Sequence, residues 1–153
     1  MRRFRDGFPR FPATFDGMQN YRKLRVWRQA FSLALNIRRA TASFPRSGYA
    51  DLKAQIVSAA ESIVFNIVEG CGAASQKEFG RFLDIAIKSS MELQGQFELA
   101  RGYRIVSRIE WKSRSEENVE LRMGLCALRR KVLGRADPPP LAPPETQSPS
   151  SLP

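Results

Sequence analysis

From Leu24 to Leu133 apolar residues recur every three or four positions, a spacing that belongs to helices and not to strands. Four segments carry it. The first, about Leu24 to Ala42, sets Leu24, Trp27, Ala30, Phe31, Ala34, Leu35 and Ile37 on one arc, with Arg22, Arg25, Arg28 and Arg39 opposite. Phe44-Pro45 ends it, because the residue before a proline is pushed out of the helical well. The second, about Ala50 to Glu69, has Leu52, Ile56, Ala59, Ala60, Ile63, Ile67 and further apolar residues almost all round, which predicts a helix buried on most sides. The third, Gln76 to about Arg101, places Phe79, Phe82, Leu83, Ala86, Ser90, Leu93, Phe97 and Ala100 in near-heptad order. Gly95 in its interior predicts a close helix crossing. The fourth, about Ser115 to Leu133, opens on Ser115-Glu116-Glu117, suited to a cap and to the helix dipole. Tyr103 to Arg114 reads as irregular.

The turn between the second and third segments is the clearest local signal. Glu69-Gly70-Cys71-Gly72 offers two glycines that can take the left-handed conformation ending a helix. Ser75-Gln76-Lys77-Glu78 is then a capping box, in which hydroxyl and carboxylate each satisfy a backbone donor at the helix start. The predicted fold is all-α, an up-down-up-down antiparallel four-helix bundle with disordered termini: residues 1–20 an N-terminal arm, 21–135 the bundle, 136–153 a proline-rich tail. The tail, with Pro138-Pro139-Pro140, Pro143-Pro144 and Pro149, lacks the donors a helix needs. It is either a solvated extension or a ligand for a proline-recognising domain.

The fourth segment has more apolar surface than a bundle requires. Leu121, Leu125, Leu128 and Val132 form one stripe, and Val119, Met123, Cys126 and Leu133 form a second. The second predicts burial against another subunit, unless the tail or the Tyr103–Arg114 segment covers it.

Charge sharpens the picture. The 153 residues carry a net +10, and the segment from Tyr21 to Ala42 has no acidic residue. Such a bias serves solubility in many small proteins, but on helix faces it points to polyanionic partners. Candidate phosphate contacts are Arg22, Lys23, Arg25, Arg28 and Arg39 from the first helix and Arg122, Arg129, Arg130 and Lys131 from the fourth. Tyr21 and Tyr103 stand beside these charges, able either to stack on unpaired bases or to pack internally.

Catalytic classes find little to stand on. Without histidine there is no imidazole base, nucleophile partner or metal ligand, and Asp51, Glu61 and Glu69 are too far apart on one helix to share a metal. Gly70-Cys71-Gly72 lacks the further glycine and the lysine of a phosphate loop. Asn66 and Glu69 fit structural roles: Asn66 bonding to a neighbouring helix, Glu69 pairing with a base or capping a helix. No enzymatic activity, cofactor or metal is expected. Cys71 and Cys126 lack metal-ligand spacing, and a disulfide between them has no support; a reduced, cytoplasmic setting fits best. No apolar run is long enough to span a bilayer, and the basic first residues are not followed by a continuous apolar region, so neither a membrane anchor nor a secretory signal is expected.

Tyr21-Arg-Lys-Leu-Arg-Val-Trp27, Phe44-Pro45, Asn66-Ile-Val-Glu-Gly70 and Ser75-Gln-Lys-Glu-Phe-Gly-Arg-Phe-Leu83, in that order, resemble the four-helix bundle family that includes proteins encoded in intervening sequences of bacterial 23S rRNA genes. The likeness runs from Tyr21 to Gly134, with Met18 a second candidate initiator just ahead of it. The resemblance implies a homopentameric ring, and arginine faces repeated around such a ring would form a continuous basic band suited to nucleic acid, RNA above all. It also extends to the accessory variability determinant of diversity-generating retroelements, which implies a reverse transcriptase as an alternative partner. A scaffold binding acidic protein is the third reading. Two departures stand out. Ile63-Val64-Phe65-Asn66 replaces the family's Ile-Pro-Ala-Asn, which predicts a straighter second helix and a Phe65 in need of packing, and Ala73 stands where a basic residue is common.

Overall fold

In the computed structural model, which describes residues 20–134, a 3-10 turn at Tyr21–Lys23 is followed by four helices. They are α1 (Arg25–Thr41), α2 (Ala50–Cys71), α3 (Gln76–Gly102) and α4 (Arg108–Leu133). Each helix packs on the ones before and after it, and α1 closes the square on α4, giving an antiparallel up-down-up-down bundle. The expected N-terminal arm, apart from Asn20, and the whole of the expected proline-rich tail lie outside the described residues.

The core is a column of inward side chains: Leu33 and Ile37 from α1, Ile56, Ile63 and Ile67 from α2, Leu83, Leu93 and Phe97 from α3, and Leu121 and Leu125 from α4. Because each helix has two neighbours, α2 buries one face and not its whole circumference. Val64 and Val68 are half-buried, and Phe65, which the sequence leaves in need of packing, is 60% exposed. The buried arc of α1 is likewise turned toward its two neighbours. Val26 and Leu33 are inside, while Leu35 is exposed and Phe31 and Ala34 are only partly covered. Tyr21, Trp27 and Phe31 form an aromatic run, with successive ring centroids 5.2 Å apart. On α3, Phe82 is half-buried, and Phe79 and Phe97 are the rings in the core.

The α2–α3 turn needs no left-handed glycine: Gly72 has φ −90°, and Gly70 is helical. Gly70 is required for space, since a Cβ there would stand 2.6 Å from Phe79 Cδ2. The capping box forms with a one-residue shift in its return arm. Glu78 N–H donates to Ser75 Oγ (3.1 Å), and the Glu78 carboxylate accepts from Ala74 N–H (2.9 Å). Gly95, expected at a helix crossing, has nothing within 4 Å of its Cβ position. The close crossings are at Gly80, against Leu133, and at Gly124, against Val26.

The segment expected to be irregular is mostly helix. α4 begins at Arg108, capped by Ser107 Oγ accepting from Glu110 N–H (3.1 Å), so Ser115 lies two turns inside and caps nothing. Ahead of it, α3 ends in a Schellman turn: Ile105 N–H bonds to Ala100 O (3.1 Å) and Arg104 N–H to Arg101 O (3.0 Å). Arg104 occupies the position that usually takes glycine, with φ 60°, the one non-glycine residue with positive φ among those described. For a residue with a Cβ that conformation costs about 1 kcal/mol.

Candidate nucleic-acid interface

Antiparallel packing fixes which termini share an end. Val26 faces Gly124, Gly80 faces Leu133, and Gly70 faces Phe79, so the start of α1, the end of α4 and the α2–α3 turn lie together. The α1–α2 and α3–α4 connections lie at the other end, joined by the rings of Tyr49 and Tyr103 at 5.8 Å.

The first end gathers most of the candidate contacts. Lys23 and Arg28, from the beginning of α1, and Arg130 and Lys131, from the last turn of α4, are exposed. None of them makes an ion pair or side-chain hydrogen bond with another described residue. Arg22 lies over the Tyr21 ring, 5.1 Å from its centroid, and its N–H donates to Asn20 Oδ1 (3.1 Å). Lys77 and Arg81, in the first turns of α3, are exposed at the same end and were absent from the sequence-based set. Their helix is nearly neutral as a whole, so only the tertiary arrangement makes them part of the basic surface.

The other candidates lie farther along the bundle or are held by partners. Arg39 is eleven positions beyond Arg28, about 16 Å along the helix axis, and donates to Asn36 Oδ1 (3.3 Å). Arg25 reaches across the α1–α4 seam to Glu120 (3.0 Å), although both side chains stay largely in water. Arg122 is half-buried between α3 and α4, donating to Gln94 Oε1 (2.7 Å) and Ser90 Oγ (3.4 Å). It belongs to a polar network around Asn118, whose amide donates to Ser90 O (2.9 Å) and accepts from Ser90 Oγ (2.8 Å). Arg129 is held by both carboxylate oxygens of Asp84, which push its pKa up from the usual arginine value. These two arginines fall on the flank of α4 that meets α3, which is why the structure ties them internally.

Between α1 and α4 a cavity of about 330 Å³ is lined by Leu24, Val26, Leu128 and Gly124, with Arg25, Gln29 and Glu120 at its rim. Asn66 bonds within its own helix, to Ser62 O (2.8 Å) and Ser62 Oγ (3.1 Å). Ser62 in turn meets Ser89 of α3 at 2.9 Å, so the link expected of Asn66 is made one residue removed. Glu69 is exposed and pairs with no described base. Both cysteines are free, and burial pushes the Cys71 thiol up to about 11. Among the described residues no group of His, Cys, Asp or Glu is placed to hold a metal ion, and no helix is long and apolar enough to cross a membrane.

An antiparallel four-helix bundle is the class of fold. The chain belongs to the 23S rRNA-intervening sequence protein family, whose model matches residues 22–127. A solved structure from Bacteroides thetaiotaomicron, of a protein with unknown function from the S23 ribosomal protein family, is similar over 69% of this chain and 98% of its own. Its TM-score is 0.63 at 22% identity, a likeness of fold. No curated protein matches the sequence.

Proposed function

We propose that this protein is a non-enzymatic RNA-binding bundle that works as a homo-oligomer, a ring of five copies by family resemblance. One observation carries the reading. Three helix termini bring Lys23 and Arg28, Lys77 and Arg81, and Arg130 and Lys131 to one end, exposed and unpaired within the described residues. Guanidinium and ammonium groups in that state are hydrated point charges ready to exchange water and counterions for phosphate oxygens. The acidic residues at that end are Glu69, Glu78, whose carboxylate accepts from Ala74 N–H, and Asp84, which is bonded to Arg129, so basic groups outnumber acidic ones there. RNA is the polyanion proposed, in keeping with the 23S rRNA in the family's name.

Oligomerisation rests on a separate feature. Met91 of α3 and Val119 and Met123 of α4 are exposed on two helices packed side by side, and Met123 is 68% exposed. Half of the expected spare stripe therefore remains open. Leu133 is taken up over Gly80 and Cys126 is half-buried. Burying this face against a second copy removes apolar area from water and repeats the basic end around the assembly.

Titrating labelled single-stranded RNA at several salt concentrations tests the reading. Affinity falling linearly on a log–log plot, with a slope near −0.7 per phosphate contacted, is the expected result. No binding at low salt would instead assign the basic end to acidic protein.

A further inference from the structure

The opposite end of the bundle carries a second basic surface, built differently. Tyr103 caps α3, is 51% exposed, and is propped by Tyr49, which caps α2, at 5.8 Å between ring centroids and 45° between planes. About half of Tyr103 is therefore in contact with solvent although its ring is held by a neighbour. Arg46 on the α1–α2 connection and Arg104 and Arg108 on the α3–α4 connection are exposed beside this pair. None of the three is bonded through its side chain to another described residue. The acidic residues in the adjoining first turns are Asp51 and Glu110, and Glu110 is already paired with Arg114 (3.3 Å).

Arg104 is the informative member. It holds the left-handed position of the Schellman turn, where glycine is the least strained residue, yet its side chain makes no bond to a described residue that would compensate. An unfavourable backbone conformation kept for an unpaired guanidinium is understandable if that guanidinium has a ligand outside the fold.

We infer that this end is a second nucleic-acid contact, where Tyr103 stacks on an unpaired base and Arg46, Arg104 and Arg108 engage the flanking phosphates. Stacking on an aromatic face tolerates any base, so the contact selects single strands without selecting sequence. The inference rests on the reading of the protein as a nucleic-acid binder, and it adds a base-dependent contact to the phosphate contacts of the first end.

The test compares an eight-nucleotide single-stranded RNA with an abasic strand of equal length, both fluorescein-labelled, by anisotropy at low salt. Wild type should bind the base-containing strand more tightly. Tyr103→Ala should lose about tenfold on that strand and nothing on the abasic one, while Tyr103→Phe retains wild-type affinity. Arg104→Gly should weaken binding to both strands while raising the thermal midpoint, a combination that strain without a ligand contact does not produce. If Tyr103→Ala and Arg104→Gly bind as wild type while Arg28→Glu/Lys131→Glu does not, the second contact is wrong and the first end stands. If wild type binds neither strand, both fall.

Discussion

Phe79, in the first turn of α3, lies so tightly over Gly70, near the end of α2, that a methyl group on Gly70 would meet its ring at 2.6 Å. The backbone of Gly70 is ordinary helix, so its role is spatial: it lets the α2–α3 hairpin close at the basic end. Gly70→Ala should destabilise the protein by about 1–3 kcal/mol in a urea titration, because Phe79 must leave its rotamer or the helices must part. Gly95→Ala is the control. With nothing within 4 Å of its Cβ position, it should stabilise by roughly 1 kcal/mol through helix propensity alone. Equal effects at the two sites would show that helix propensity, and not the crossing, governs both.

Asn118 is 2% exposed and bonded to Ser90 through both side-chain atoms. Asn118→Ala strips a partner from a buried hydroxyl and a buried carbonyl, and should cost about 1–3 kcal/mol in thermal or chemical unfolding. It also frees Ser90 Oγ to turn toward Arg122. A neutral substitution would mean that water replaces the amide without loss.

Much of the bundle could be read from spacing, and the failures have physical causes. The cap at Ser107-Arg108-Ile109-Glu110 has the same pattern as the one at Ser75, yet Ile109, 83% exposed, breaks the apolar rhythm that would have announced a helix there. A glycine's neighbours are invisible to periodicity, so spacing points to Gly95 for a crossing that Gly80 and Gly124 make, and to a left-handed turn at Gly70 where the need is for space. Charge segregation along the chain pointed to α1 and α4, but not to which of their arginines face a neighbouring helix. Arg122 and Arg129 do, whereas Arg28 and Lys131 do not.

The exposed apolar face of α3 and α4 gives a prediction about assembly. Met123→Glu should convert the proposed oligomer to monomer in light scattering and leave the helical circular dichroism signal intact, since Met123 is 68% exposed in the protomer. A wild-type mass equal to one chain would remove the ring from the account.

Cys71 offers a pH signature. Its thiol is raised from 9.0 to about 11 by burial, so the folded state holds the proton more tightly than the unfolded state does. The stability this contributes is fully present below pH 9 and is lost as pH rises from 9 toward 11. Relative to Cys71→Ala, the wild type should therefore lose stability across that window, and Cys71 should resist iodoacetamide at neutral pH longer than the half-buried Cys126. Parallel pH profiles would place the thiol in contact with water.

The most direct test of the basic end is the affinity of Arg28→Glu/Lys131→Glu for a single-stranded RNA at low salt, beside wild type. Both side chains are exposed and unpaired within the described residues, so the double variant should fold and melt as wild type does. The account predicts an affinity at least about tenfold weaker and a shallower salt slope, as expected when phosphate contacts are lost. Unchanged affinity and slope, with the fold intact, would contradict it.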